Sequence, residues 1–250
     1  MTGLIDAIEE VLTETLALAR SLDPADGALP TGCPGWTVQD NLAHMVGLEQ
    51  VLAGAPEPDI ELPDLDHVRD DFGAYMERHV HIRRPLPFVA VVDELAGLLP
   101  CRIGALRELA ATGDALVTGP FGERPLSVAL PIRVFDLWAH EQDIRRAVGQ
   151  PARAEGPAAA ISLERALLGW TRSLSKADLG IDGELTIEIT GPEPSTVVVS
   201  LGAGGPTATL RGDLDALTRS FCGRGQPDPN LLSGDPALVA ALADHLAMTP

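Results

Sequence analysis

The stretch Arg133-Val134-Phe135-Asp136-Leu137-Trp138-Ala139-His140-Glu141-Gln142-Asp143-Ile144-Arg145 decides how this chain is read. It lies in a segment whose apolar pattern predicts a helix over about 127–148, ending near Gly149 and Pro151. On such a helix Asp136 and His140 are four apart and share one face. A carboxylate and an imidazole so placed can bind one divalent metal ion. On spacing alone the commoner reading is a weak ion pair on a wet helix face. Two features favour the site. Leu137 and Trp138 flank the pair in a core-like segment, and His44 sits among Leu42, Met45, Val46 and Leu48 on a second predicted helix, about 38–53. By itself His44 reads as an ordinary core histidine. Across a helical bundle it can supply a third ligand, and three protein ligands leave open the position a catalytic metal needs. His140-Glu141 also starts like a zinc-protease HExxH, but Ile144 stands where the second histidine must be.

Working outward, residues 5–21 read as an amphipathic helix closed by Asp23-Pro24. Thr37 is an N-cap for the 38–53 helix, with Asp40 three residues on in a variant capping box. Residues 55–71, rich in Pro and Asp, read as loop, and helical pieces are expected in 67–83. A long apolar helical pattern covers 87–112, where Pro100 is expected to kink or split it. Residues 118–122 read as a turn. The first domain, 1–152, is therefore expected to be a four-helix bundle. From about 156 the pattern changes. One helix is expected over 157–175, short strands over 185–189, 196–200 and 207–210, and helices over 213–222 and 235–247. That describes a smaller α+β domain, 153–250.

Composition limits the function classes. The chain has 250 residues, 45% of them hydrophobic, enough for a sizeable core. Lys+Arg 18 against Asp+Glu 36 gives a net charge of −18, which repels phosphate backbones and anionic headgroups. No nucleic-acid or membrane partner is expected. Cys33, Cys101 and Cys222 are too few and too scattered for a disulfide framework or a four-thiolate zinc site, and fit a reducing cytoplasm. The N-terminus lacks the pattern of a signal peptide, and no apolar run reaches the ~18 residues of a membrane helix. Lys176 is the only lysine, which with abundant Ala fits a GC-rich source. No GxSxG or P-loop supports a serine hydrolase or NTPase.

Weaker candidates remain. Cys33 lies in a Gly/Pro loop at a helix start, where a thiolate is stabilised, although an inert loop cysteine is the commoner case. His79 and His81 with Arg78, Arg83 and Arg84 can form an anion-binding patch or, more commonly, a solvated charged face. Arg224 in Phe221-Cys222-Gly223-Arg224-Gly225 can face a domain junction or sit in a surface turn.

Three motifs together resemble the mycothiol-dependent maleylpyruvate isomerase family. They are Cys33-Pro34-Gly35-Trp36-Thr37-Val38-Gln39-Asp40-Asn41-Leu42-Ala43-His44, the segment from Asp136 to Gly149, and the tail from Leu217 to Gly234. The resemblance implies a DinB-like metal-binding four-helix bundle followed by a sterol-carrier-like domain. It implies a zinc ion held by His44, Asp136 and His140, with Asp136 where the family has Glu, one methylene longer. Asp143 then becomes a partner that orients a ligand from behind, or an alternative ligand. It implies mycothiol as co-substrate, its thiol made a thiolate by the metal and added to a small electrophile in an isomerase or S-transferase reaction. The thiol is expected between the two domains, with Arg83, Arg84 and Arg224 as candidates for holding an anionic group. The other reading kept open is a non-enzymatic protein that binds an apolar ligand and retains a vestigial metal site. A monomer and a homodimer are both compatible with the sequence.

Overall fold

The computed structural model describes residues 1–120, 122–177, 179–192, 194–225 and 228–248. The chain divides into two compact units, Met1–Arg153 and Ala154–Pro250. Arg153 belongs with the first because its guanidinium is tied to Glu141 and Glu10 and its backbone carbonyl accepts from Trp138 Nε1.

The first unit is helical. Its long helices are α1 (Thr2–Ser21), α2 (Val38–Leu52), α4 (Phe88–Ala111) and α5 (Leu126–Ala147), with the shorter α3 (Asp71–His81) packed on α2. α1 packs on α4 and α5, and α2 on α3, α4 and α5. α1 buries Ile5, Ile8, Val11 and Leu12 and leaves its acidic side wet, as its spacing predicts. α2 differs. It is buried almost all round, from Val38 to Glu49, because helices cover it on several sides. Its start is closed by the reciprocal capping box of Thr37 and Asp40.

One expectation for this unit is corrected and another is extended. Pro100 does not split α4, which runs unbroken through it. Pro100 is exposed and Ala96 half-buried, so the carbonyl that loses its donor can meet water. The 118–122 turn is the tip of an antiparallel hairpin, β1 (Leu116–Gly119) with β2 (Gly122–Pro125). These short strands carry no buried alternation, so periodicity gave no sign of them.

The second unit is α+β. After α6 (Pro157–Leu174) come β3 (Glu184–Thr190), β4 (Ser195–Ser200) and β5 (Thr207–Asp213), then α7 (Leu214–Phe221), β6 (Leu232–Gly234) and α8 (Pro236–Ala243). The sheet order is β4-β3-β5-β6, antiparallel except for the parallel β3–β5 pair. Leu185, Ile187 and Ile189 alternate inward on β3, as do Ala208 and Leu210 on β5. Trp170 stacks on Phe221 with centroids 4.8 Å apart. The closing helix is shorter than the expected 235–247, and the three-residue β6 is too short to leave a pattern. Among the described residues no helix is long and apolar enough to cross a membrane.

Candidate metal centre

α5 carries Asp136 and His140 one turn apart, and α2, packed against it, carries His44. The three side chains meet. His44 Nε2 is 3.3 Å from Asp136 Oδ2, and His140 Nε2 is 3.6 Å from Asp136 Oδ1. Ligands about 2.1 Å from a tetrahedral ion stand about 3.4 Å from one another, so these separations match the edges of a small-cation site. Trp36 lies over both imidazoles, its ring centroid 5.1 Å from His44 and 5.5 Å from His140. Trp36 is held by its own indole N–H, which donates to Glu77 at 2.9 Å. Gly35 before it takes φ +75°, and a Cβ there would stand 2.3 Å from the His67 ring. The Pro-Gly-Trp sequence thus builds one wall of the site.

The hydrogen-bond network sets the His140 tautomer. Asn41 Nδ2 donates to Thr31 Oγ1 at 3.0 Å and to the Thr37 carbonyl at 2.8 Å, which orients the amide. Asn41 Oδ1 then accepts from His140 Nδ1 at 2.7 Å. With its proton on Nδ1, His140 keeps the Nε2 lone pair for a cation. Asp143 Oδ2, 3.5 Å from the same Nδ1, adds to this support. Burial pushes His44 down to about 4 despite the opposing pull of Asp136, so its imidazole is neutral near pH 7, the form that ligates. Burial pushes Asp136 up, but His44 and Arg133 outweigh it and hold the carboxyl well below its ordinary range. Donor types, separations and tautomer all fit a divalent cation of the zinc class.

Beneath the site lies a buried charge network. Glu49, fully buried, accepts from Nε of both Arg102 and Arg133, and Arg133 Nη1 pairs with Asp136. Burial raises Glu49, yet the two guanidiniums bring it below its ordinary value. Arg133 stands inside the stretch that opened the sequence reading, but nothing in its spacing showed that it would turn inward. Glu141 faces elsewhere. It accepts from Arg145 and Arg153 and fastens the segment that follows α5, so it takes no part in the metal centre.

Cys33 is brought closer to the site than its loop context suggested. With His140 and Asp143 it forms a second group whose ligand atoms lie within 4.8 Å of one another, as do those of His44, Asp136 and His140. The two groups share His140. A neutral imidazole with Nδ1–H directed at Asn41 serves only the group on its Nε2 side, which favours His44 and Asp136.

The other candidates fall differently. The solvated face expected of His79 and its neighbours is corrected: Glu77, His79 and Arg83 are buried. Arg83 donates to Glu94 at 2.9 Å, the His79 carbonyl at 2.9 Å and Gln50 Oε1 at 2.7 Å. Arg84 pairs with Asp40 at 3.0 Å and with Glu77. These two guanidiniums tie α2, α3 and α4 together, and Arg84 Nη2 is buried without a hydrogen-bond partner. Arg224 is 9% exposed and donates to the Cys222 carbonyl at 3.0 Å, so it does not sit in a surface turn.

Comparison with known proteins agrees with the fold. No curated protein sequence matches the chain. Among solved structures, the mycothiol-dependent maleylpyruvate isomerase and a single-site mutant of it share the fold. Each has 16% sequence identity and a TM-score of 0.60, over 94% of this chain and 92% of the other. The match that reaches the sequence itself covers residues 8–145, from α1 through the helix that bears Asp136 and His140. Over that span the chain belongs to the family of the mycothiol maleylpyruvate isomerase N-terminal domain.

Proposed function

We propose that this protein is a metal-dependent enzyme that uses a low-molecular-weight thiol, mycothiol, as nucleophile toward a small electrophile. The observation that carries the reading is the meeting of His44, Asp136 and His140, from two helices, at separations suited to one cation. Zinc is the ion that best suits two imidazoles and a carboxylate in a small tetrahedral site. A bound divalent cation there lowers the pKa of a thiol and supplies a thiolate at neutral pH. The chain's own residues do the rest. Asn41 and Asp143 hold His140 in its ligating tautomer, and Trp36 shields one side of the site from water. The thiolate forms an S–C bond to the electrophile. It leaves again after bond rotation in an isomerase and stays in an S-transferase. Membership of the isomerase family supports thiol chemistry.

One observation favours the second reading, an apolar-ligand binder with a vestigial site. The Arg133 guanidinium already occupies Asp136 Oδ2, the oxygen nearest His44, so a cation must compete with it. Elemental analysis separates the two readings, on wild type and His140→Ala purified without chelator or nickel. The enzyme reading expects near-stoichiometric zinc in wild type and its loss in the variant. Wild type that takes up no metal even after zinc is added would overturn it.

A further inference from the structure

α3 carries two polar side chains that no partner in the protein satisfies. His79 is 1% exposed, and its Nε2 is buried without a hydrogen-bond partner. Tyr75, one turn earlier on the same face, has a buried Oη in the same condition. Their rings meet edge to face, with centroids 5.2 Å apart. Leaving such groups unpaired costs free energy. α3 packs on α2, the helix that carries His44. Tyr75 feels the charge of Glu57 and then that of Arg133, and His79 feels those of His44, Arg83, Arg133 and Arg78. The close approach is made possible by Gly47, one turn after His44, where a Cβ would come within 2.6 Å of His79 Cβ.

We propose that Tyr75 Oη and His79 Nε2 form an oxygen-binding subsite beside the metal centre, which takes the uncharged carbonyl oxygen of the electrophile. The proposal rests on the thiol-enzyme reading above. The charge balance selects the oxygen. Arg133 is matched by Glu49 and Asp136, Tyr75 and His79 are neutral, and Glu57 acts on Tyr75, so a carboxylate gains less there than an uncharged oxygen. Two buried neutral donors suit an oxygen that enters uncharged and gains charge during reaction. When a thiolate adds to a carbon conjugated with that carbonyl, the S–C bond forms, the C=C π pair shifts to the bond beside the carbonyl carbon, and the C=O π pair moves onto the oxygen. The Tyr75 O–H and a His79 N–H then stabilise it. The pair returns when the S–C bond breaks, or a solvent proton on carbon completes the addition.

Tyr75 is the only tyrosine in the chain, so 3-fluorotyrosine labelling gives one ¹⁹F resonance that reports on the subsite alone. The full-length zinc-loaded protein would be titrated with succinimide, a neutral and unreactive dicarbonyl, and with the succinate dianion. The expected result is a saturable shift with succinimide, at least tenfold weaker binding of succinate, and a roughly tenfold loss of succinimide affinity in His79→Asn. Tyr75→Phe, nearly isosteric and partly exposed, should show a similar loss by calorimetry with its circular dichroism unchanged. The same titration on metal-free His140→Ala separates the two ideas. A shift that persists in that variant supports the subsite independently of the metal, and a wild type that takes up no zinc yet shows the shift keeps the subsite while the metal reading fails. A zinc-loaded wild type with no saturable succinimide shift, or with unchanged affinity in both variants, overturns the subsite.

Discussion

The two units handle buried charge in opposite ways. The bundle buries Asp40, Glu49, Glu77, Glu141, Asp143, Arg83, Arg102 and Arg133 together with His44, His79 and His140. In the second unit, among the described residues, the only charged side chain so buried is Arg224, beside the neutral Ser162, Thr218 and Ser220. Its core is otherwise the apolar faces of β3 and β5 and the Trp170–Phe221 stack. Apolar packing suffices to hold a fold of this size, and buried ion pairs add little or nothing to stability over an apolar core. A core that nevertheless gathers so many charges around α2, α3 and α5 is what the metal centre proposed for the bundle would lead one to expect.

Breaking the bundle's network tests that contrast most severely. Glu49→Ala leaves Arg102 and Arg133 buried without their shared carboxylate and should cost about 3–5 kcal/mol by denaturant unfolding. A cost near that of a surface change would show that water reaches the network. Acid comes next. His44 and His79 are both pushed down to about 4 by burial, while the unfolded chain takes up their protons below about 6.5. Stability present above pH 6.5 is therefore lost as pH falls toward 4, by about 3 kcal/mol for His44. Asp136, held low in the folded state, adds to the loss at still lower pH. Thermal melts of the metal-free protein from pH 7 to 4.5 should show the decline, and the double variant His44→Asn, His79→Asn should flatten it.

Asn41→Ala tests the tautomer argument. Removing the acceptor of His140 Nδ1 should weaken zinc binding by about 10–100-fold in a competition titration, with the three ligands intact. Unchanged affinity would mean that Asp143 alone orients the ring. The smallest effect belongs to the second unit. Glu188→Gln removes an exposed pair with Arg211, 3.4 Å apart, and should change stability by less than about 0.5 kcal/mol. A larger loss would contradict the view that charge matters little there.

How much was legible follows from the range of each signal. The long helices and the inward alternation of β3 and β5 repeat over many residues, and their periods are visible without a structure. The i, i+4 spacing of Asp136 and His140 is local too. The hairpin and β6 are too short to carry a period. α3 was misread for a different reason. Glu77 and His79, with Arg83 and Arg84 just after the helix, look like a wet face, and only the partners Asp40 and Gln50 on α2 and Glu94 on α4 show why they turn inward. Cys33 was underrated because its neighbours, His140 and Asp143, lie more than a hundred residues away in sequence.

The sequence by itself determined the class of fold, the division into a helical and an α+β part, and the residue types that can bind a cation. These depend on hydrophobic periodicity and on side-chain chemistry, both of which are properties of the chain. The tertiary structure alone decided which charges are buried, that Arg133 shares Asp136 with the two imidazoles, which nitrogen of His140 meets Asn41, and that Tyr75 and His79 lack partners. Burial, tautomer and hydrogen-bond satisfaction depend on which groups from distant segments meet once water is excluded, and no local pattern records that.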